Sequence, residues 1–179
     1  TLLLVFMLCG ILIQTMKGYT HYEIGQYLQF LFVFQWSYYA LLAALAIALQ
    51  VILNNKYLAY FAMIAYSVLA MVLPGIGIDH PMLMYAGGAQ PFYSDMNGYG
   101  HNVTQIFWYK LFWSGAAIVL IALSMLLWGR GVTDSWRARL RQAKYSLTPA
   151  IKLSLVSGSF IFFGVGSLLF YFNNVLHAY

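Results

Sequence analysis

Four histidines and four carboxylates are the residues of this 179-residue chain best suited to acid–base or metal chemistry. Asp79, His80, Asp95 and His101 share one connecting stretch, and carboxylate with imidazole is a workable ligand set for a divalent ion. Their spacing is irregular and matches no metal motif. Loop side chains that hydrogen-bond within their own loop explain them more simply. A haem- or metal-bearing redox subunit would need histidine pairs on facing helices inside a membrane, whereas His21, His80, His101 and His177 all fall at or beyond the ends of apolar stretches. The lone cysteine, Cys9, allows neither an intrachain disulfide nor a multi-cysteine metal site. There is no G-x-x-x-x-G-K-S/T phosphate loop and no H-E-x-x-H zinc pair; His21-Tyr22-Glu23-Ile24-Gly25 does not qualify. The sequence thus predicts no catalytic, cofactor-binding or metal-binding constellation, and no enzymatic activity of its own.

The elements that must position these residues are unmistakably apolar. Hydrophobic residues make up 63% of the chain and charged residues 7%, with a mean hydropathy of +0.75. A water-soluble domain carries about 25% charged residues, so a compact soluble enzyme and a disordered segment are both excluded. Each helical crossing of a bilayer core about 30 Å thick needs roughly 20 apolar residues. Five stretches meet or approach that length, at about 1–16, 30–53, 57–78, 106–128 and 150–172. Membrane β-strands would be half as long and would alternate. The fold class expected is all-α: one transmembrane helix bundle of about five spans. Tyr57, Trp108, Tyr109, Trp113, Trp128 and Tyr171 near span ends fit an aromatic belt at headgroup depth.

Basic residues orient the spans. Lys56, Arg130, Arg137, Arg139, Arg141, Lys144 and Lys152 stand on one side, Lys17 and Lys110 near the other. That bias places loop 129–149 in the cytoplasm, loop 79–105 outside, and the C-terminal tail outside as well. The same clustering makes topology, not nucleic acid, the reason for a net charge of +5. Asn54-Asn55-Lys56 is short enough only for a tight helical hairpin.

Within this frame, some residues are expected to pack and others to face water. Ala40, Ala44 and Ala48 repeat at four-residue spacing, as do Ser154 and Gly158, and Gly164 and Gly166 follow; small side chains let a neighbouring helix approach closely. Gln35 and Gln50 lie in the second span, and Lys110, near the outer end of the fourth, can snorkel to the headgroups. The outer loop, with Tyr93, Ser94, Asp95, Asn97, Gly98 and His101, is expected to form an ordered cap over the helices. In the cytoplasmic loop, Val132, Trp136, Leu140, Ala143 and Leu147 fall on one helical face, and Arg137, Arg139, Arg141 and Lys144 fall mostly elsewhere. Thr133 or Asp134 is the expected N-cap. Such a basic amphipathic helix lies in the membrane interface or presents its cations to a cytoplasmic partner.

Several strings resemble one family. Lys17-Gly18-Tyr19-Thr20-His21-Tyr22-Glu23, Asn54-Asn55-Lys56-Tyr57-Leu58, Phe170-Tyr171-Phe172-Asn173-Asn174-Val175-Leu176 and, most specifically, Tyr93-Ser94-Asp95-Met96-Asn97-Gly98-Tyr99-Gly100-His101 look like a bacterial ABC-2-type permease fused to a zinc aminopeptidase. The resemblance implies the C-terminal part of that family's membrane region, cut from a longer chain, in the bacterial inner membrane. It implies as partners a separate ATP-binding ABC subunit, the lipid bilayer and the remaining helices of the parent protein, and no nucleic acid. The zinc peptidase domain would follow residue 179, and none of its catalytic or metal residues maps onto this sequence. The function expected is a permease part that moves an unidentified substrate. The alternative is a non-transporting anchor for the extracytoplasmic peptidase.

Overall fold

The structure is a computed structural model and describes residues 2–18, 22–78, 80–88, 91, 100–128 and 136–176. Those residues are helical with short connections, and no strand occurs among them. The elements are α1 (Leu2–Met16), α2 (Ile24–Leu28), a π-helical stretch (Gln29–Gln35), α3 (Trp36–Leu53), α4 (Lys56–Val72), α5 (Gly100–Leu127), α6 (Trp136–Tyr145) and α7 (Pro149–Tyr171). A 3-10 turn, Leu73–Ile76, extends α4, and a π turn, Phe172–Leu176, extends α7.

Among the described residues four helices are long and apolar enough to cross a membrane: Ile24–Leu53, Lys56–Ile76, Asn102–Leu127 and Pro149–Asn174. They coincide with the second to fifth apolar stretches of the sequence. The first stretch forms α1, an apolar helix of 15 described residues. The second stretch begins earlier than hydropathy indicates, because Gly25, Gln26 and Gln29 are helical although they are not apolar. Likewise α5 starts at Gly100, so residues 101–105 belong to a helix and not to the outer loop.

Local chemistry sets the ends. Asn54 closes α3 in the left-handed conformation (φ 50°), and the Asn55 side chain then accepts hydrogen bonds from the backbone N–H groups of Tyr57 and Leu58, at 2.9 and 3.4 Å. Two asparagines thus make the tight hairpin that the short connection requires. Thr148 caps α7 through its hydroxyl, which accepts from the Ile151 N–H, with Pro149 in the first turn.

The core is the seam of α3, α5 and α7. Leu41 and Ala44 of α3, Tyr109, Phe112, Trp113 and Ala117 of α5, and Val165 and Leu169 of α7 are buried together. Phe112 stacks on Phe162 with ring centroids 4.6 Å apart, and Trp113 meets Phe112 edge-on at 4.7 Å. Tyr109 and Trp113, expected in the headgroup belt, are therefore core residues; their rings fill the seam that α3 and α7 build on either side of α5. Trp128, Tyr57 and Tyr171 are exposed at helix ends. Outside the seam the surface stays apolar, with Phe61, Ile64 and Val68 of α4 and Leu153, Phe160 and Phe163 of α7 all open. Faces of that kind belong against lipid or further helices, not water.

Small residues set the closest approaches. A Cβ on Gly115 of α5 would lie 2.7 Å from the Phe162 backbone nitrogen and 2.9 Å from the Gly158 carbonyl of α7. Gly158 is tight as well, though less so, its Cβ position 3.0 Å from the Gly115 carbonyl. The sequence reading included Gly158 but not its partner Gly115. Ala44 and Ala48 are buried at 3% and 2% exposure, in line with Leu41 and Val51. Ala40 is exposed, because the buried face runs through Leu41 instead. Ser154 is half-buried, and its hydroxyl donates to the Ala150 carbonyl of its own helix at 3.0 Å.

Candidate functional site

A cavity of about 360 Å³ opens between α3, α4 and α5 at the bundle end that carries the 80–88 segment. The π-helical stretch contributes Phe34 and Gln35; its wide turn shows in the Trp36 N–H, which donates to the Leu31 carbonyl five residues back. A π turn adds a residue to the helical register and frequently marks a functional position. Tyr38 follows on α3, Tyr66 and Ala70 stand on α4, and Ile106 and Lys110 on α5. Met84, Tyr85, Ala86, Gly87, Gly88 and Pro91 lie across the opening.

Two hydrogen bonds tie this cover down. The Tyr66 hydroxyl donates to the Tyr85 carbonyl, and the Tyr85 hydroxyl donates to the Leu41 carbonyl at 3.0 Å. The Tyr85 ring also meets Trp113 edge-on, at 5.1 Å between centroids. At Gly87 the turn is too tight for a side chain, since a Cβ would sit 2.7 Å from the Met84 carbonyl oxygen. The His80 ring accepts from the Met82 N–H at 3.2 Å, which stabilises the turn. Residues 80–88 therefore form an ordered cover over the bundle; the expected cap residues Tyr93–Gly98 lie outside the described residues.

Burial, and next the neighbouring Tyr66 hydroxyl, push the Tyr85 phenol up to about 12 from its ordinary 10. The neutral phenol is the form the fold holds, so its contribution is complete below pH 10 and is lost as the pH rises through about 12. The part of the tyrosine absorbance near 295 nm that develops only above pH 11 should shrink by one phenol in Tyr85→Phe. A titration identical in the variant would contradict this assignment.

Lys110 is the cation among the described residues that line the cavity. Its Nζ sits 5.1 Å from the centroid of the Tyr38 ring, within cation–π range. Where the sequence predicts an ammonium snorkelling to the headgroups, the structure lays it over an aromatic ring of α3. With α5 beginning at Gly100, residue 110 lies about 15 Å along the helix, and the aromatic wall of α3 holds the ammonium inward. Among the described residues no carboxylate lines the cavity.

At the opposite end of the bundle, α6 lies against α5 and the α3–α4 hairpin through Arg139. That side chain is 7% exposed; Nη1 donates to the Val51 carbonyl at 2.9 Å and Nη2 to the Asn54 side-chain oxygen at 2.6 Å. Val51 holds one of the last carbonyls of α3, which lack partners within the helix and carry its negative dipole end. Arg139 was expected at the cytoplasmic surface with Arg137, Arg141 and Lys144. It is buried because a helix terminus offers it acceptors that water would otherwise fill. Arg141 and Lys144 are exposed, and so is Leu140 of the expected apolar face. Arg137 lies in α6, but its side chain is outside the described residues.

The outer-loop residues Tyr93, Ser94, Asp95, Asn97 and Gly98 also lie outside the described residues, as do Asp79, His21 and His177. His101 occupies the first turn of α5. Among the described residues no group of three or more His, Cys, Asp or Glu side chains is gathered for a metal. The grouping of Gln35, Tyr38, Tyr66, Tyr85 and Lys110 was missed by sequence reasoning. The available signal was the pairing of Gln35 with Lys110, polar side chains in two different apolar spans.

These features define a class: a polytopic helical membrane protein with a polar cavity set into an apolar bundle. Compared with known proteins, the chain matches no family model, no curated protein and no solved structure.

Proposed function

We propose that this chain is the membrane-spanning permease part of an ABC-type transport system, moving an unidentified substrate with energy from a separate ATPase subunit. The reading begins from the resemblance of the Lys17–Glu23, Asn54–Leu58, Tyr93–His101 and Phe170–Leu176 strings to a bacterial ABC-2-type permease fused to an aminopeptidase. One observation carries it further: the cavity between α3, α4 and α5 holds the Lys110 ammonium inside a bundle whose outside is apolar. Ionisable groups within membrane helices are expensive to place and mark ligand or ion paths. A protein that only anchors a peptidase has no use for such a group.

In this reading the protein sits in a bacterial inner membrane with the 80–88 cover and the end of α7 outside, as the basic residues of the connections predict. Helix α6, with Arg141 and Lys144 exposed, then faces the cytoplasm, where an ATPase subunit would dock. Alternating access requires two arrangements of the bundle, biased by that subunit.

Affinity purification of the full-length protein from native membranes, followed by mass spectrometry, tests the proposal. A Walker-motif ATPase in stoichiometric amount is the expected result. A peptidase-bearing protein that purifies active and with no ATPase would favour the anchor and remove the transport reading.

A further inference from the structure

The cavity beneath the 80–88 cover has a polarity of its own. Tyr66 and Tyr85 spend their hydroxyl protons on backbone carbonyls and brace the walls. By contrast, among the described residues no group hydrogen-bonds the Gln35 amide, the Tyr38 hydroxyl or the Lys110 ammonium. Lys110 offers three N–H donors, Gln35 two and Tyr38 one. A site rich in donors, with one full positive charge and no carboxylate among its described lining residues, is complementary to acceptor oxygens that carry negative charge. The remaining wall, including Phe34 and Ile106, is apolar. Its volume of about 360 Å³ falls at the small end of ligand pockets.

We infer that this cavity binds a monoanionic oxyanion group bearing a short apolar tail, with its oxygens on Lys110, Gln35 and Tyr38 and its tail against Phe34 and Ile106. Lys110 is the one charged side chain among the described residues that line the cavity, and one ammonium balances one negative charge, so a carboxylate or a phosphodiester fits these residues better than a dianion does. Such a group can arrive free or as a lipid headgroup. Naming it as the class of the transported substrate rests on the permease reading; the binding does not.

The test uses the full-length protein in phosphatidylcholine nanodiscs, titrated calorimetrically with hexanoate, hexanol and hexylammonium. These share a tail and differ in charge. Hexanoate should bind saturably, and the other two should show only partitioning into the bilayer. Lys110→Gln should weaken hexanoate at least tenfold, the effect of losing one charge-assisted hydrogen bond. Tyr38→Phe keeps the ring under the ammonium and removes one donor, so a severalfold loss is expected there even if Lys110→Gln fails to fold. Hexanol binding as tightly as hexanoate, or hexanoate binding indifferent to both substitutions, would overturn the inference. Discs containing phosphatidylglycerol separate the sources. A loss of hexanoate affinity seen in the wild type and absent in Lys110→Gln supports the site with a lipid phosphodiester as occupant; no loss supports it with a free carboxylate. An ATPase that co-purifies while hexanoate fails to bind removes the site and spares the permease reading. Hexanoate binding without an ATPase does the reverse.

Discussion

Gly115→Leu is expected to force α5 away from α7 and to lower resistance to unfolding by about 3 kcal/mol, the upper end for overpacking a tight site. The physical reason is that the obstacle is backbone. A Cβ at residue 115 meets the Phe162 nitrogen at 2.7 Å and the Gly158 carbonyl at 2.9 Å, and neither can rotate aside as a side-chain tip can. Gly164 on α7 is a matched control, since a Cβ there meets nothing within 4 Å. Gly164→Leu should fall within about 0.5 kcal/mol of the wild type, as exposed substitutions do. Unfolding by SDS in mixed micelles would measure both. Equal stability of the two variants would mean that the α5–α7 seam is not the tight contact described above.

Arg139→Ala has the second large effect, and it is local. The substitution leaves the Val51 carbonyl and the Asn54 side-chain oxygen without their charged donor and removes a side chain buried against the hairpin. Hydrogen bonds to charged groups contribute roughly 1.5–3 kcal/mol each. A loss of about 3 kcal/mol would raise the undocked population of α6 about a hundredfold. Hydrogen exchange of the backbone amides in 136–145 should accelerate accordingly, while α5 and α7 keep their protection. Arg141→Ala, at an exposed position of the same helix, should leave exchange unchanged. Protection of α6 that survives Arg139→Ala would show that other contacts hold the helix.

Both residues show what the chain discloses by itself and what it withholds. Span existence is a property of composition along the sequence, so α3, α4, α5 and α7 were readable from apolar runs alone. The hairpin at Asn54 and Asn55 was readable too, because its length leaves no other solution. Which face of a span turns inward is a different matter. Where lipid covers the outside, apolar residues lie on every side, and the periodicity that orients a helix in a soluble protein is weak. Ala40 was thus grouped with Ala44 and Ala48, although the buried line runs through Leu41, Ala44, Ala48 and Val51. Tyr109 and Trp113 illustrate the same point, since an aromatic near a span end fits a belt or a core equally well in one dimension.

The cations misled for a related reason. Lys110 and Arg139 were assigned to the membrane boundary and to the cytoplasmic surface, where most cations of a membrane protein reside. Each is held instead by a partner distant in sequence, Tyr38 for Lys110 and Val51 with Asn54 for Arg139. Such pairings exist only once helices distant in the sequence have assembled. No spacing rule within one segment announces them.

Transport through the cavity around Lys110 requires that its accessibility change when ATP is used. In a full-length protein with Cys9 and any other cysteine replaced by serine and one cysteine placed at cavity-lining Ala70, a membrane-impermeant maleimide added outside reports that accessibility directly. In native membranes that contain the partner ATPase, ATP should change the labelling rate severalfold, and a hydrolysis-deficient ATPase should abolish the change. A labelling rate indifferent to ATP would contradict transport through this cavity and leave the chain as an anchor.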